Sequence, residues 1–315
     1  MTNYTEKYVR AGIAAINDEA LSAEQAADEI AKQCTQSINS ESAPKREGTT
    51  DDDPTHPIAV EHFLWPFWSG VTELAQDHRS MHDRIAHILA ALKAKGADGC
   101  KGWRVWGSET DWSQLPLFGP VSRESMDGKS IARSGGIGRL DFTTPKAQAL
   151  LAGDAPTDDE PETRGVVAAR AHWLNTNAFL ARLWALDVQD EAFFGIACMR
   201  MELEPLTLSS TRGPTDGQGA VHTPQELEIE AAAAWLRIAG AKMYVCREIM
   251  GPKGNPEWDQ KRGCPGGSGG TWDGVDGYHP DRWRHWKGIL QEVAEGSWRR
   301  NVIEAAQVSS GNLLI

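Results

Sequence analysis

Two segments of this 315-residue chain carry polar residues at positions that helical spacing turns toward an apolar interior. In His172-Trp173-Leu174-Asn175-Thr176-Asn177-Ala178-Phe179-Leu180-Ala181-Arg182-Leu183-Trp184, Asn177 follows Trp173 by four residues and precedes Trp184 by seven. All three fall on one helical stripe, so Asn177 faces inward. In the segment after it, Phe193, Ile196, Ala197, Arg200, Leu203 and Glu204 share a stripe, which directs an Arg200/Glu204 pair at i, i+4 spacing into the core. A polar group taken out of water must be paired, and two arrangements satisfy that. In one, Arg200 and Glu204 form a buried ion pair holding two helices in register, and Asn177 caps or bridges a loop. In the other, the groups line a cavity between helices. Glu204 and Asn177 are then oxygen ligands for Mg²⁺, and Arg200 or Arg182 grips a phosphate bidentately.

Other candidate chemistry is thinner. His78 and His82 are four apart on a helical stripe but lack a third ligand, so they read as hydrogen-bonded core histidines. The run Asp51-Asp52-Asp53 is followed by Pro54, which disfavours the helix on which three carboxylates would converge. Ser134-Gly135-Gly136-Ile137-Gly138-Arg139 is glycine-rich but matches neither the dinucleotide nor the P-loop phosphate cradle. The GxSxG, HExxH and CxxC patterns and the Walker lysine are missing, which removes the usual support for hydrolase, zincin, thiol-redox and P-loop readings.

The elements that must position these residues are helices. Val9, Ile13, Ile16, Ala20, Ala27 and Ile30 recur at helical spacing from Thr5 to about Ile38, with a fresh start at Ser22. Residues 39 to 57 are polar and proline-bearing and read as a mobile loop. One long helix is expected from about Val60 to Lys95, on the stripe Trp68, Val71, Ala75, His78, Met81, Ile85, Leu89 and Leu92. Residues 96 to 165 read as loop with small elements, closed by an acidic linker from Asp154 to Glu162. Four more helices are expected at about 165–186, 189–204, 224–250 and 280–308, between glycine-rich segments at 205–223 and 251–279. The segment 251–279, with Trp258, Trp272 and Tyr278, reads as a lid or a long surface loop. Strand-like alternation of usable length is missing, so the fold expected is all-α. Residues 58–315 would form a single large helical domain with long glycine- and proline-rich loops, on which the helices of residues 1–38 pack.

Composition narrows the class further. A formal net charge of −12 argues against nucleic-acid binding, which draws its affinity from clustered Lys and Arg. Five scattered cysteines without zinc spacing read as reduced thiols. With no signal-peptide layout at residues 1–20 and no apolar run long enough to span a bilayer, a cytoplasmic location is expected. Thirteen tryptophans against four tyrosines suit either large irregular helix contacts or an aromatic-walled pocket for a small molecule.

Four blocks, in order, together resemble a known family. They are Trp173-Leu174-Asn175-Thr176-Asn177-Ala178-Phe179-Leu180-Ala181-Arg182, Met199-Arg200-Met201-Glu202-Leu203-Glu204, Ala232-Ala233-Ala234-Trp235-Leu236-Arg237-Ile238-Ala239-Gly240 and Arg282-Trp283-Arg284-His285-Trp286-Lys287. They cover most of the second half and are similar to the fungal domain-of-unknown-function family numbered 3632, found in ascomycete proteins and sometimes beside secondary-metabolite genes. That resemblance implies a helical fold without a shared assigned reaction. A further likeness, to non-canonical fungal sesquiterpene cyclases of the humulene-synthase kind, implies a prenyl-diphosphate pocket. Ionising such a substrate calls for divalent cations and arginines at the leaving diphosphate and for aromatic faces around the carbocation. Arg200, Glu204 and Asn177, with the rings of Trp173, Trp184 and Trp235, would supply those parts. The helical DDxxD motif and the Asn/Ser/Glu triad of ordinary cyclases are missing, so the metal constellation would have to differ. The expectation is therefore a Mg²⁺-dependent terpene-cyclase-like lyase, against a rival in which a non-enzymatic helical module binds a partner or small molecule.

Overall fold

The computed structural model describes residues 3–40, 58–126, 140–205 and 223–311. The Asp51–Asp53 run, the Ser134–Arg139 glycine stretch and most of segments 39–57 and 205–223 lie outside the described residues. The chain is all-α, with eleven α-helices among the described residues and a two-residue hairpin as its named strands. It divides into two compact units, residues 1–127 and 128–315.

The first unit is built from α1 (Asn3–Asn17), α2 (Ala23–Ser40), α3 (Ile58–Asp77), α4 (His82–Ala94) and α5 (Phe118–Met126). α2 starts where the sequence places it, because Ser22 and Gln25 form a reciprocal cap. The Gln25 N–H donates to Ser22 Oγ at 3.2 Å, and the Ser22 N–H donates to Gln25 Oε1 at 2.9 Å. Arg84 on α4 closes the turn before it, donating to the carbonyls of Ile16 at 2.6 Å and Leu21 at 3.0 Å and to that of Asp18. Carbonyls at the end of α1 and in the turn that follows it thus share one cation. The core is aromatic. Phe63 stacks on Phe67, Trp68 meets Phe118 edge-on, and the Trp68 indole N–H donates to the Pro116 carbonyl at 2.7 Å.

The single helix expected over 60–95 is two. α3 ends at Asp77, His78 adopts φ −129°, ψ 85°, and a 3₁₀ turn at Arg79–Met81 leads into α4. The apolar stripe resumes in phase beyond the turn, which is why periodicity alone hides the break. His82 is buried and its Nε2 lies 2.8 Å from the Ala75 carbonyl oxygen, while His78 is exposed. The two histidines therefore do not share a site. The loop after α4 carries β1 (Arg104–Val105) and β2 (Ser108–Glu109), paired antiparallel through Trp106 and Gly107, both at positive φ. Two successive left-handed residues make the turn whose twist matches the strands.

The second unit holds α6 (Pro145–Leu151), α7 (Pro161–Ala185), α8 (Ala192–Glu202), α9 (Gln225–Val245), α10 (Pro280–Glu295) and α11 (Arg300–Gly311). α6, α7 and α10 each begin with proline at a position whose N–H would lack a helical partner anyway. α7 and α9 form the centre. The run Ala231 to Ala234 on α9 is buried, and short side chains there let helices approach closely. Trp235 and Trp286 are fully buried, and burying a ring of that size contributes roughly 4 to 6 kcal/mol of transfer free energy. α11 is stitched to α9 by the Ser309 hydroxyl, which donates to the Ala233 carbonyl at 2.8 Å.

Several helix boundaries differ from expectation in this unit: α7 starts at Pro161 rather than 165 and α8 at Ala192 rather than 189. α8 ends at Glu202 rather than 204, and α9 at Val245 rather than 250. The helix expected over 280–308 breaks at Gly296, whose extended conformation separates α10 from α11. Gly288, inside α10, has nothing within 4 Å of where a Cβ would stand. Gly288→Ala is expected to raise stability by about 0.5–1 kcal/mol, read as a higher urea midpoint, since alanine restricts the unfolded chain and favours helix. Among the described residues no helix is long and apolar enough to cross a membrane.

Candidate functional site

Glu204 stands just past the end of α8. The stripe on which sequence spacing sets it with Arg200 stops short, because Leu203 caps the helix and the Glu204 N–H reaches back to the Met199 carbonyl at 3.4 Å. Its carboxylate is fully buried and is met by Arg282, in the first turn of α10. Arg282 Nε donates to Oε1 at 2.7 Å and its NH2 group to Oε2 at 3.0 Å, a bidentate fork. The Trp286 indole N–H adds a bond to Oε1 at 2.8 Å, and the Gly269 backbone N–H one to Oε2 at 2.6 Å.

The guanidinium is equally committed. Beyond the carboxylate, Arg282 donates to the carbonyls of Gly266, Gly277 at 3.1 Å and Gly267 at 2.8 Å, so all five N–H donors have acceptors. Its plane also lies over the Trp286 and Trp272 rings, 5.3 and 5.6 Å from their centroids. Arg200 serves the same segment from α8, donating to the carbonyls of Cys264 and Pro265, both at 2.9 Å. Segment 251–279 is thus held against α8 and α10 along its second half. Thr271 adds its N–H at 3.0 Å and its hydroxyl at 2.8 Å to the Glu204 carbonyl.

Glycine is required where this segment meets the helix end. A Cβ on Gly269 would overlap the Arg200 carbonyl oxygen, and one on Gly277 the Glu248 carbonyl oxygen. Both obstacles are backbone and cannot swing aside. Gly269→Ala is expected to destabilise the unit by at least about 1–3 kcal/mol, seen as a lowered thermal midpoint.

Asn177 faces inward, as its phase requires, and is fully buried. Its Oδ1 accepts from the Trp235 indole N–H at 2.8 Å, and its Nδ2 donates to the Trp173 carbonyl at 3.0 Å. The amide therefore ties α7 to α9. Asn177→Ala would orphan a buried indole N–H, and a loss of about 1–3 kcal/mol in urea unfolding is expected.

A chain of rings links the two polar nodes. Trp235 meets Trp184 edge-on at 6.4 Å, Trp184 lies 5.4 Å from Tyr278, and Tyr278 lies 6.1 Å from Trp286, which touches Glu204. The Tyr278 hydroxyl donates to the Ala192 carbonyl at 2.7 Å, and burial holds its phenol well above the usual range. Gly195 on α8 makes room for it, since a Cβ there would stand 2.8 Å from the hydroxyl oxygen.

Trp184 and Trp235, expected to wall a pocket, pack against each other. Trp173 belongs elsewhere, packed on the cluster of Phe142, Leu150, Leu151 and Leu227. Its indole N–H is buried without a partner among the described residues. Arg182 is half-buried near the end of α7. Glu204 and Asn177, the two groups expected to hold Mg²⁺, stand at opposite ends of the ring chain with their oxygens already accepting N–H donors. They do not fit a shared cation. Among the described residues no group of three or more His, Cys, Asp or Glu side chains is gathered to hold a metal.

Two groups escape sequence reasoning. Arg282 has no local mark that identifies its partner, although its i, i+4 relation to Trp286 puts both on one face. Glu191, immediately before α8, is 3% exposed, and its Oε1 has no hydrogen-bond partner among the described residues. Burial first, and the Asp190 charge second, push its carboxyl up to about 8.

A protein-family model described as "Protein of unknown function (DUF3632)" matches residues 68–290. No curated protein and no solved structure matches the chain.

Proposed function

Since the chain belongs to the DUF3632 family, whose description names no reaction, we propose its function from the site itself: a non-enzymatic helical module that binds a partner. The saturation of Glu204 carries this reading. Its two oxygens accept from Arg282, Trp286 and Gly269, with no exposure to solvent, so the carboxylate best placed for chemistry is spent on structure. A buried pair of this kind fixes which elements meet, here the end of α8, the glycine segment and α10. Of the rings offered as walls of a substrate pocket, Trp184 and Trp235 pack against each other and Trp173 packs on a separate apolar cluster. All five cysteines are free, which suits a reducing compartment such as the cytoplasm. A place beside fungal secondary metabolism, as the family likeness implies, would then be that of an accessory binding protein.

The rival reading, a Mg²⁺-dependent cyclase-like lyase using Arg200, Glu204 and Asn177, is tested directly. Purified chain is incubated with farnesyl, geranyl or geranylgeranyl diphosphate and Mg²⁺, with an EDTA control, and volatile products are read by gas chromatography and mass spectrometry. No metal-dependent hydrocarbon is expected. A product that disappears with EDTA and in Asn177→Ala protein shown to be folded would overturn the module reading.

A further inference from the structure

α8 is apolar on more than one side. Ala192, Gly195, Ile196, Cys198 and Met199 are buried, yet Phe193 is 46% exposed and Met201 55% exposed, with Ala197 half-buried midway. Steps of four keep these three on one stripe, about 12 Å long at the helical rise. Phe194 flanks it, edge-on to Phe193 at 5.3 Å. A helix apolar all round is ordinarily covered all round. On the other flank, Arg200 turns its charge to the carbonyls of Cys264 and Pro265.

The N-terminal end of the stripe is acidic. Asp190, three residues before Phe193, is exposed, as is Glu248, on which the Asp190 charge acts; the exposed Asp187 is paired with Lys242, and the exposed Arg247 adjoins Glu248 in sequence. Burial and then the Asp190 charge raise the Glu248 carboxyl, with Arg262 opposing. Glu191 beside them is raised by burial and by the same Asp190. Carboxylates that press on one another are relieved by an added cation. The net charge of −12 favours a cationic occupant over a second copy, which would bring another −12.

We infer that this face of α8 docks an amphipathic helix of a partner protein, with apolar anchors on Phe193, Ala197 and Met201 and a Lys- or Arg-bearing end at Asp190 and Glu248. Anchors at i, i+4 spacing in a helix match such a stripe. The inference rests on the binding-module reading and supplies its partner class.

The test uses the full chain and a labelled 18-residue helical peptide with leucines on one face and lysines at the flanks, followed by fluorescence anisotropy. Saturable binding is expected that weakens with salt, drops at least tenfold in Phe193→Asp and Met201→Asp, and falls several-fold in Asp190→Asn/Glu248→Gln. A peptide with glutamate in place of lysine should not bind. Phe193→Asp adds negative charge, so capture by charge alone would tighten in that variant. Equal or tighter binding there, or no binding to wild type, overturns the proposal. So do wild-type dimers in sedimentation velocity that Phe193→Asp dissolves, which would make a second copy the occupant. Turnover of a prenyl diphosphate would defeat the module reading while leaving the peptide result in place; lost peptide discrimination without turnover defeats this inference alone.

Discussion

Replacing Glu204 by alanine is expected to destabilise the second unit by about 3–5 kcal/mol, the cost of leaving a buried cation without its partner. Arg282 is fully buried, and without the carboxylate it keeps only neutral carbonyl acceptors. The Trp286 indole N–H and the Gly269 N–H lose their acceptor at the same stroke. That sum is a large share of the 5–15 kcal/mol by which domains are typically stable. Urea unfolding followed by circular dichroism would read it as a lowered midpoint at unchanged slope. The double variant Glu204→Met/Arg282→Met removes both charges, and its loss should be clearly smaller than that of Glu204→Ala alone. A Glu204→Ala change under about 1 kcal/mol would mean that the pair is not what holds the segment to α8 and α10.

Glu191→Gln is expected to act in the opposite direction, by an amount that grows as pH rises from about 4.5 to about 8. The carboxyl titrates near 8 in the folded protein and near its ordinary value of 4.5 when unfolded. Between those limits the folded state holds a proton that the unfolded state has released. Stability therefore falls as pH rises from about 4.5 to about 8, by up to about 1.4 kcal/mol per pH unit, and levels off above. Glutamine keeps the shape of the neutral acid and does not ionise. The variant should match wild type at about pH 4, exceed it by several kcal/mol at pH 8 to 9, and show a flatter curve between. Thermal midpoints across that range check this, and parallel curves for the two proteins would sink it.

How much of this was legible in the sequence depended on how local each determinant is. Ser22 and Gln25 lie three residues apart and satisfy each other, so the start of α2 can be read directly. Asn177 turned inward because α7 runs unbroken past it, and phase counts correctly along an unbroken helix. Glu204 failed for the complementary reason. α8 stops two residues earlier, and a carboxylate placed by helical phase with Arg200 is instead delivered by a turn to Arg282. The breaks at His78 and Gly296 were hidden because apolar residues resume on both sides, and spacing alone does not register the turn between them. Nothing in the local sequence marks Glu191, since an acid at a helix start is usually welcome. Its lack of a partner depends on packing that no short pattern encodes.

The separation between Glu204 and Arg282 sets an order of events during synthesis. The carboxylate leaves the ribosome 78 residues ahead of its cation, a wait of roughly 4 to 16 s at ordinary elongation rates. Through that interval α7, α8 and α9 can form as helices, but Glu204 stays in water, and the Trp286 that completes the ring chain has not been made. The second half of the chain therefore closes after translation has passed α10, and a nascent chain stalled before Arg282 should remain open to protease at the end of α8.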